Sequence, residues 1–513
     1  MQQTLVLTIL LAATLQMGAA HAAPKPATVR AGQAAALERI SANSLRGHLS
    51  FIASDLLEGR GTPSRGQDLA AEYIAAQYRR AGLEPLGDDG YFQTANWTFS
   101  EPNLSGFALT LHAGKQHLAL PLAQVSFKPG SALDARGAAI VKASWNDLAP
   151  LEALGAAVQG KVVMLELPSK QAKSMAQYEQ MTAERDALLA RIATLKPLMV
   201  LALDTQRKSG DGGGRGTLSD PARPSAAPAL NMVTVHGEQA AALFAALPAG
   251  ATGAALDLHL EAASVRPVKL RNVAALLRGS DPVLKDTYVI LSAHYDHLGI
   301  RPGLEGDNIF NGANDDGSGT VSVIEVASAL AGLKERPKRS IVFLNVFGEE
   351  LGMLGSSYYG RNPLVPVAST VANLNLEQIG RTDGADGPNL AKAALTGYDF
   401  SSMSAILARA GAATGVTIYK DEQLNEQYFA QSDNVALAKL GVPAHTLSVL
   451  YAFPDYHKAG DHWQKIDYAN MALISKMVAQ GVLMMADDPV APRWNQAHPL
   501  TAPYVEAHKA LAK

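Results

Sequence analysis

The chain contains no cysteine in 513 residues. That excludes disulfides, thiolate zinc sites, a cysteine nucleophile and a lipid anchor carried on cysteine. Charge of either sign is not in excess: 44 Lys and Arg stand against 47 Asp and Glu, a formal net charge of −3. Phosphate contacts need concentrated Lys and Arg, so no nucleic-acid partner is expected. Beyond Ala22 no stretch reads as long and apolar enough for the ~20 residues of a membrane span, so no stable span is expected once residues 1–22 are cleaved. Aromatics are few, yet 48% of residues are hydrophobic, which allows sizeable cores. The length suggests about two to four domains.

The start of the chain reads as a secretory signal over residues 1–22. Leu5 to Leu15 is a short apolar core, and Ala20-His21-Ala22 has the small-x-small form of a cleavage site. Its first four residues, Met-Gln-Gln-Thr, lack the usual basic residue. The expected location is exported, periplasmic or extracellular. Residues 23–33 form an Ala- and Pro-rich leader.

Beyond the leader, texture divides the chain. Residues 34–105 are the first segment of an α/β domain. Within it Gly66 to Gly82 reads as a helix with Leu69, Tyr73, Ala76 and Ala81 near one face. The preceding Gly59-Arg60-Gly61 is a turn to which no role is assigned. Residues 106–267 carry short alternating runs and a charged helix from Lys170 to Lys196. They read as an inserted β-rich α/β module, with a mobile, glycine-rich loop over 209–224. Residues 268–487 resume the α/β rhythm, and 488–513 are a tail.

The chemistry gathers where apolar runs end. Tyr288 to Ala293 leads into His294, and Asp296 lies two residues later. Gly312-Ala313-Asn314-Asp315-Asp316-Gly317 then supplies a carboxylate in a turn that glycine permits. Ser340 to Phe347 is nearly all apolar, as in a strand buried on both faces, and stops at Gly348-Glu349-Glu350. Two such carboxylates are costly unless they meet a metal or protons, and one can hold a metal while its neighbour handles a proton. Thr370 to Leu376 ends at Glu377. Ala444 to Leu450 leads to a loop with Tyr456, His457 and Asp461. Open α/β sheets bind ligands at the carboxyl ends of strands. The candidate metal set is therefore His294, Asp315, Glu350, Glu377 and His457. Nitrogen and oxygen donors without sulfur suit Zn²⁺, with Mn²⁺ or Co²⁺ as possible substitutes. Five ligands exceed the needs of one catalytic zinc, and point to two ions about 3.5–4 Å apart under a bridging carboxylate.

The motifs AHYDHLG, GANDDGSG, GEE, NLEQIGR and YHKAGD together resemble the co-catalytic zinc exopeptidases of clan MH. These include secreted bacterial aminopeptidases and, with an inserted protease-associated domain, glutamate carboxypeptidases. The likeness covers about residues 40–105 and 270–485, and the insert resembles the protease-associated domain more weakly. It implies a mixed central sheet flanked by helices. It assigns His294 and Glu377 to one zinc and Glu350 and His457 to the other, with Asp315 bridging and a cis peptide after it. Asp296 would orient His294, Glu349 would be the general base, and Tyr456 would donate to the oxyanion. Two positions depart from the family pattern: Glu377 stands where Asp is common, and Asn434 where His is usual.

The activity implied is peptide-bond hydrolysis by a metal-bridged water that yields its proton to Glu349. A peptide with a free N-terminus is the expected substrate, because an acidic pocket attracts the α-amino group. A carboxypeptidase or dipeptidase is the alternative, with Arg381 the nearest candidate for a substrate carboxylate. A glutaminyl cyclase and a metal-free receptor are further alternatives.

Overall fold

The computed structural model describes residue 29 and residues 31–127, 131–167, 175–205, 216–223, 230–301, 304, 306–385 and 387–511. The signal-like stretch lies outside these residues, as do residues 23–28 and 30 of the leader.

The main body is α/β, built on a ten-stranded mixed sheet. At its centre, Ser340–Val346, Tyr288–His294, Thr370–Glu377 and Ala444–Ser448 lie side by side and parallel. Ser340–Val346 is buried at every position, as expected of a strand covered on both faces. The register sets Val346 beside His294, and Ser448 beside Glu377. The carboxyl ends of these strands thus share one edge. On one flank the long strand Ser264–Leu277 runs antiparallel to Ser340–Val346 and pairs in turn with Phe92–Glu101. This strand passes through the junction expected at 267/268, so the chain re-enters the main sheet earlier than the sequence texture suggested.

The helices Ala42–Ile52, Gly319–Ala331 and Tyr468–Asp487 pack on the sheet and share its largest hydrophobic core. Tyr468–Asp487 corrects the membrane expectation: it is long and apolar enough to cross a bilayer. Most of it is instead buried in the core, with Met471, Ile474, Met477 and Val478 fully covered. The helix Arg65–Arg80 also corrects a reading. Ser64 caps it by accepting from the Gln67 backbone. Its buried face is Ala70, Ala71, Ile74, Ala75 and Tyr78, while Leu69 is exposed. Small alanines let the helix approach the sheet closely, and the larger Leu69 turns outward.

The inserted region forms a separate eight-stranded sheet spanning Ala108 to Leu260, with its own cores. Its charged helix is seen over Met175–Thr194. The loop expected to be mobile over 209–224 is described only from residue 216 to 223. There it is ordered: Thr217–Ser219 is a strand paired antiparallel with Thr98–Ser100 of the main sheet. Leu218 packs on the main core, and Asp220 pairs with Arg361 at 3.3 Å. Composition alone missed this because three residues carry no periodic signal.

Candidate metal centre

The site lies at the carboxyl edge of the four parallel strands. His294 ends its strand fully buried. Its Nε2 lies 3.1 Å from Glu377 Oε1 and 3.4 Å from Asp315 Oδ1. On the other side of Asp315, Oδ2 is 3.2 Å from His457 Nε2, which is 3.3 Å from Glu350 Oε2. One carboxylate therefore stands between two imidazoles, each backed by a glutamate. All five sequence-derived donors meet in this cleft.

The loop carrying Asp315 is held by backbone geometry and by Asp461. Gly312 has φ +56°, and a Cβ there would lie 2.3 Å from both the Asp315 carbonyl oxygen and the His297 ring. The Asp315–Asp316 peptide is cis. Asp461 Oδ2 accepts from the backbone N–H groups of Asn314 and Asp315 at 2.9 and 3.1 Å. Asn314 Oδ1 accepts from Gly380 and Arg381, tying this loop to the one after Glu377. Behind Glu377, Ser432 donates to Oε2 at 2.8 Å.

The sequence reading assigns roles to three further side chains, which the structure places as follows. Asp296 is fully buried, with Oδ1 3.6 Å from His294 Nδ1 and accepting the Glu349 backbone N–H. Glu349 reaches within 4.0 Å of His294 Nε2. Tyr456 stacks on the His457 ring with centroids 4.0 Å apart and is 41% exposed at the cleft. Asn434, where the family usually has His, is buried away from the donors and bonds Phe429 and Thr446.

Three further residues lie at or beside the donors without having been singled out by the sequence reading. Asp316 comes within 4.8 Å of the donor atoms of His294 and Glu377. It also accepts from the Gly319 and Gln378 backbones. His297, fully buried, sets Nδ1 2.7 Å from Glu350 Oε1, the oxygen turned away from His457. Its spacing of three from His294 in one motif was the available signal. Arg60, from the Gly-Arg-Gly turn, is wholly buried. It donates to the carbonyls of Tyr295, Ile52, Asn311 and Gly312 at 2.6–2.9 Å. It thereby braces both ligand-bearing loops.

The electrostatics are those of a site built for cations. Burial opposes charge on His457, but the Asp315 and Glu350 carboxylates outweigh it and push the imidazole up to about 10. Against the same cost of burial, the histidines around Glu350 hold its carboxyl down to about 2. Burial, with Glu377 adding its charge, drives Glu349 well above the ordinary carboxyl value despite the pull of His294. Buried Asp316 Oδ2 has no hydrogen-bond partner among the described residues, and the close approaches of His457 to Asp315 Oδ2 and of His297 to Glu350 Oε1 lack hydrogen-bond geometry. Buried carboxylates left so are stable only beside a compensating positive charge. The imidazole and carboxylate donors fit divalent ions of the zinc type.

Residues 272–482 match the family model described as Peptidase family M28. Over that stretch the chain is similar to peptidase family M28. A probable zinc metalloprotease of Leptosphaeria maculans is 32% identical over 121 residues, 24% of this chain and 27% of that one. The chain thus spans about a quarter of the length of this curated relative. An aminopeptidase from Aneurinibacillus sp. strain AM-1 has the same fold, with a TM-score of 0.62 at 17% identity, covering 91% of this chain and 97% of that one. A zinc aminopeptidase from Bacillus subtilis gives a TM-score of 0.55 at 17% identity, covering 86% and 95%. The M28 stretch contains every donor named above, while Arg60 lies outside it.

Proposed function

We propose that this protein is an exported, dinuclear zinc-dependent aminopeptidase. The observation that carries the reading is the Asp315 carboxylate set between His294 and His457, at 3.4 and 3.2 Å. His294 and Glu377 would hold one zinc, Glu350 and His457 the other, and Asp315 would bridge them. The zinc named for the relatives supports this choice of metal, and the signal-like residues 1–22 support export. Bound there, two zinc ions would acidify a water and polarise the scissile carbonyl.

The chain's own residues supply the rest. Glu349 takes the proton of the attacking water and returns it to the leaving amine; its raised affinity for protons suits both steps. Asp296 fixes Glu349 through its backbone N–H and steadies His294 from behind. Tyr456, at the mouth, donates to the oxygen that becomes negative. The acidic cleft attracts the substrate's α-ammonium group.

The carboxypeptidase alternative needs a free cation in the cleft. Arg381 is 4% exposed and already committed, with its Nε 2.7 Å from Asp383 and its Nη1 2.9 Å from Asp455. No Lys or Arg lines the cleft among the described residues. The test is turnover of leucine p-nitroanilide beside its N-blocked form by zinc-loaded protein. Cleavage of the free form alone is expected. Cleavage of neither, or of both equally, would contradict the reading.

A further inference from the structure

Of the five donors, His457 has the least regular support. His294 and Glu377 close strands of the main sheet, and Glu350 follows the buried strand Ser340–Val346. Asp315 sits on a loop fixed by Asp461. His457 instead rides on the loop from Tyr451 to Asp461, and its side chain is 39% exposed. Its φ is +53°, in the left-handed region that residues other than glycine enter at a cost. Such a backbone persists only where the surrounding structure holds it.

The hold comes from Arg381. Its backbone N–H donates to Asn314 Oδ1 at 2.9 Å, on the loop that carries Asp315. Its side chain is buried and crosses to the loop that carries His457. There Nη1 donates to Asp455 Oδ2 at 2.9 Å, and the guanidinium carbon lies 5.3 Å from the Phe453 ring centroid. Phe453 meets Tyr456 edge-on with centroids 5.9 Å apart, and Tyr456 in turn stacks on the His457 ring. Asp383 aims the guanidinium by accepting from Nε and Nη2 at 2.7 and 2.5 Å, the two-pronged geometry that only arginine offers. Lys465 also donates to Asp455 Oδ2, at 2.9 Å. Against the cost of burial, Lys465 and Arg381 hold the Asp455 carboxyl below its ordinary value. Gly460 leaves room for that carboxylate, since a Cβ there would lie 2.6 Å from Asp455 Oδ1. One residue thus ties together the loops that carry Asp315, Glu377 and His457.

We propose that Arg381 is a positioning residue for His457 and sets the affinity of the zinc assigned to Glu350 and His457. The inference rests on the dinuclear reading above. Arg381 acts not as a ligand but through Asp455 and Phe453, which keep the His457 ring turned towards Asp315 and Glu350. Without it the loop relaxes from its left-handed backbone and the ring leaves the site. The zinc assigned to His294 and Glu377 draws no ligand of its own from that loop and is retained.

The test is zinc competition against a fluorescent chelator with the full chain, for the unsubstituted protein, Arg381→Ala, Asp455→Ala and the double substitution. Arg381→Ala should weaken one of the two ions roughly 10–100-fold, the range for losses behind a ligand histidine, and leave the other within about threefold. Asp455→Ala should give the same split, and the double substitution should cost less than the sum of the two, because both break one contact. In crystals of Arg381→Ala at limiting zinc, the anomalous peak beside His457 should be the depleted one. Unchanged affinity, equal weakening of both ions, additive losses or depletion beside His294 overturns the proposal while the dinuclear reading stands. If Arg381→Ala fails to fold, Asp455→Asn, which keeps the shape and loses the charge, decides by the same split. Fewer than two zinc ions in the unsubstituted protein overturns the dinuclear reading and this inference with it.

Discussion

The Asp296 carboxylate accepts the backbone N–H of Glu349 at 3.1 Å while standing 3.6 Å from the ring of His294. One buried acid therefore positions both the proposed base and a proposed ligand. Asp296→Ala should weaken zinc binding roughly 10–100-fold, as losses behind a ligand histidine generally do. It should also lower kcat in protein fully reloaded with zinc, because Glu349 loses its anchor. Competition against a fluorescent chelator gives the first quantity and saturating-zinc kinetics the second. Unchanged affinity would remove Asp296 from the site.

Glu349→Gln separates proton transfer from metal binding. The donors around Asp315 remain, so zinc content should stay at that of the parent protein. kcat should fall by about 10²–10⁴-fold, the range for a general base, with KM little altered. Elemental analysis and steady-state kinetics on the same sample read both. Activity within a factor of about three would assign the proton to another group.

Arg60 braces the site from outside the M28 stretch. Arg60→Ala would leave the carbonyls of Ile52, Tyr295, Asn311 and Gly312 without their buried donor. Stability should drop by at least about 3 kcal/mol, given ~1–3 kcal/mol for each strong buried hydrogen bond lost. Arg60→Lys, with fewer donors and no planar fork, should recover only part of it. Chemical denaturation of the three proteins measures the order.

His445, which is not among the donors, gives the fold a pH dependence of its own. It is fully buried, accepts from Ser401 and donates to the Thr396 carbonyl. Burial holds its pKa down to about 4, below the ~6.5 of an exposed imidazole. Between those values the unfolded chain binds a proton that the folded chain refuses. Stability is therefore full above about pH 6.5 and declines as pH falls towards 4, by about 3 kcal/mol from this group. His445→Asn should flatten that part of the stability-against-pH curve. An equal slope in both proteins would contradict the assignment.

The sequence exposed the site more fully than its setting. Long apolar strands ending in His294, Glu350 and Glu377 are legible because a buried strand and a terminal charge contrast sharply. His457 and Asp315 are legible through their motifs. Arg60 is not, because Gly-Arg-Gly is an ordinary turn until the partners at residues 295, 311 and 312 come near it. His297 is hidden by its neighbour: two histidines in one motif do not say which faces which carboxylate. The outward turn of Leu69 and the short strand Thr217–Ser219 show the same limit, since both are decided by what packs opposite.

The central claim is that two ions flank Asp315. The most direct test is anomalous scattering at the zinc absorption edge from a crystal of the zinc-loaded protein. Two peaks about 3.5–4 Å apart, on either side of the Asp315 carboxylate, are expected. A single peak, or peaks away from Asp315, would contradict the dinuclear centre.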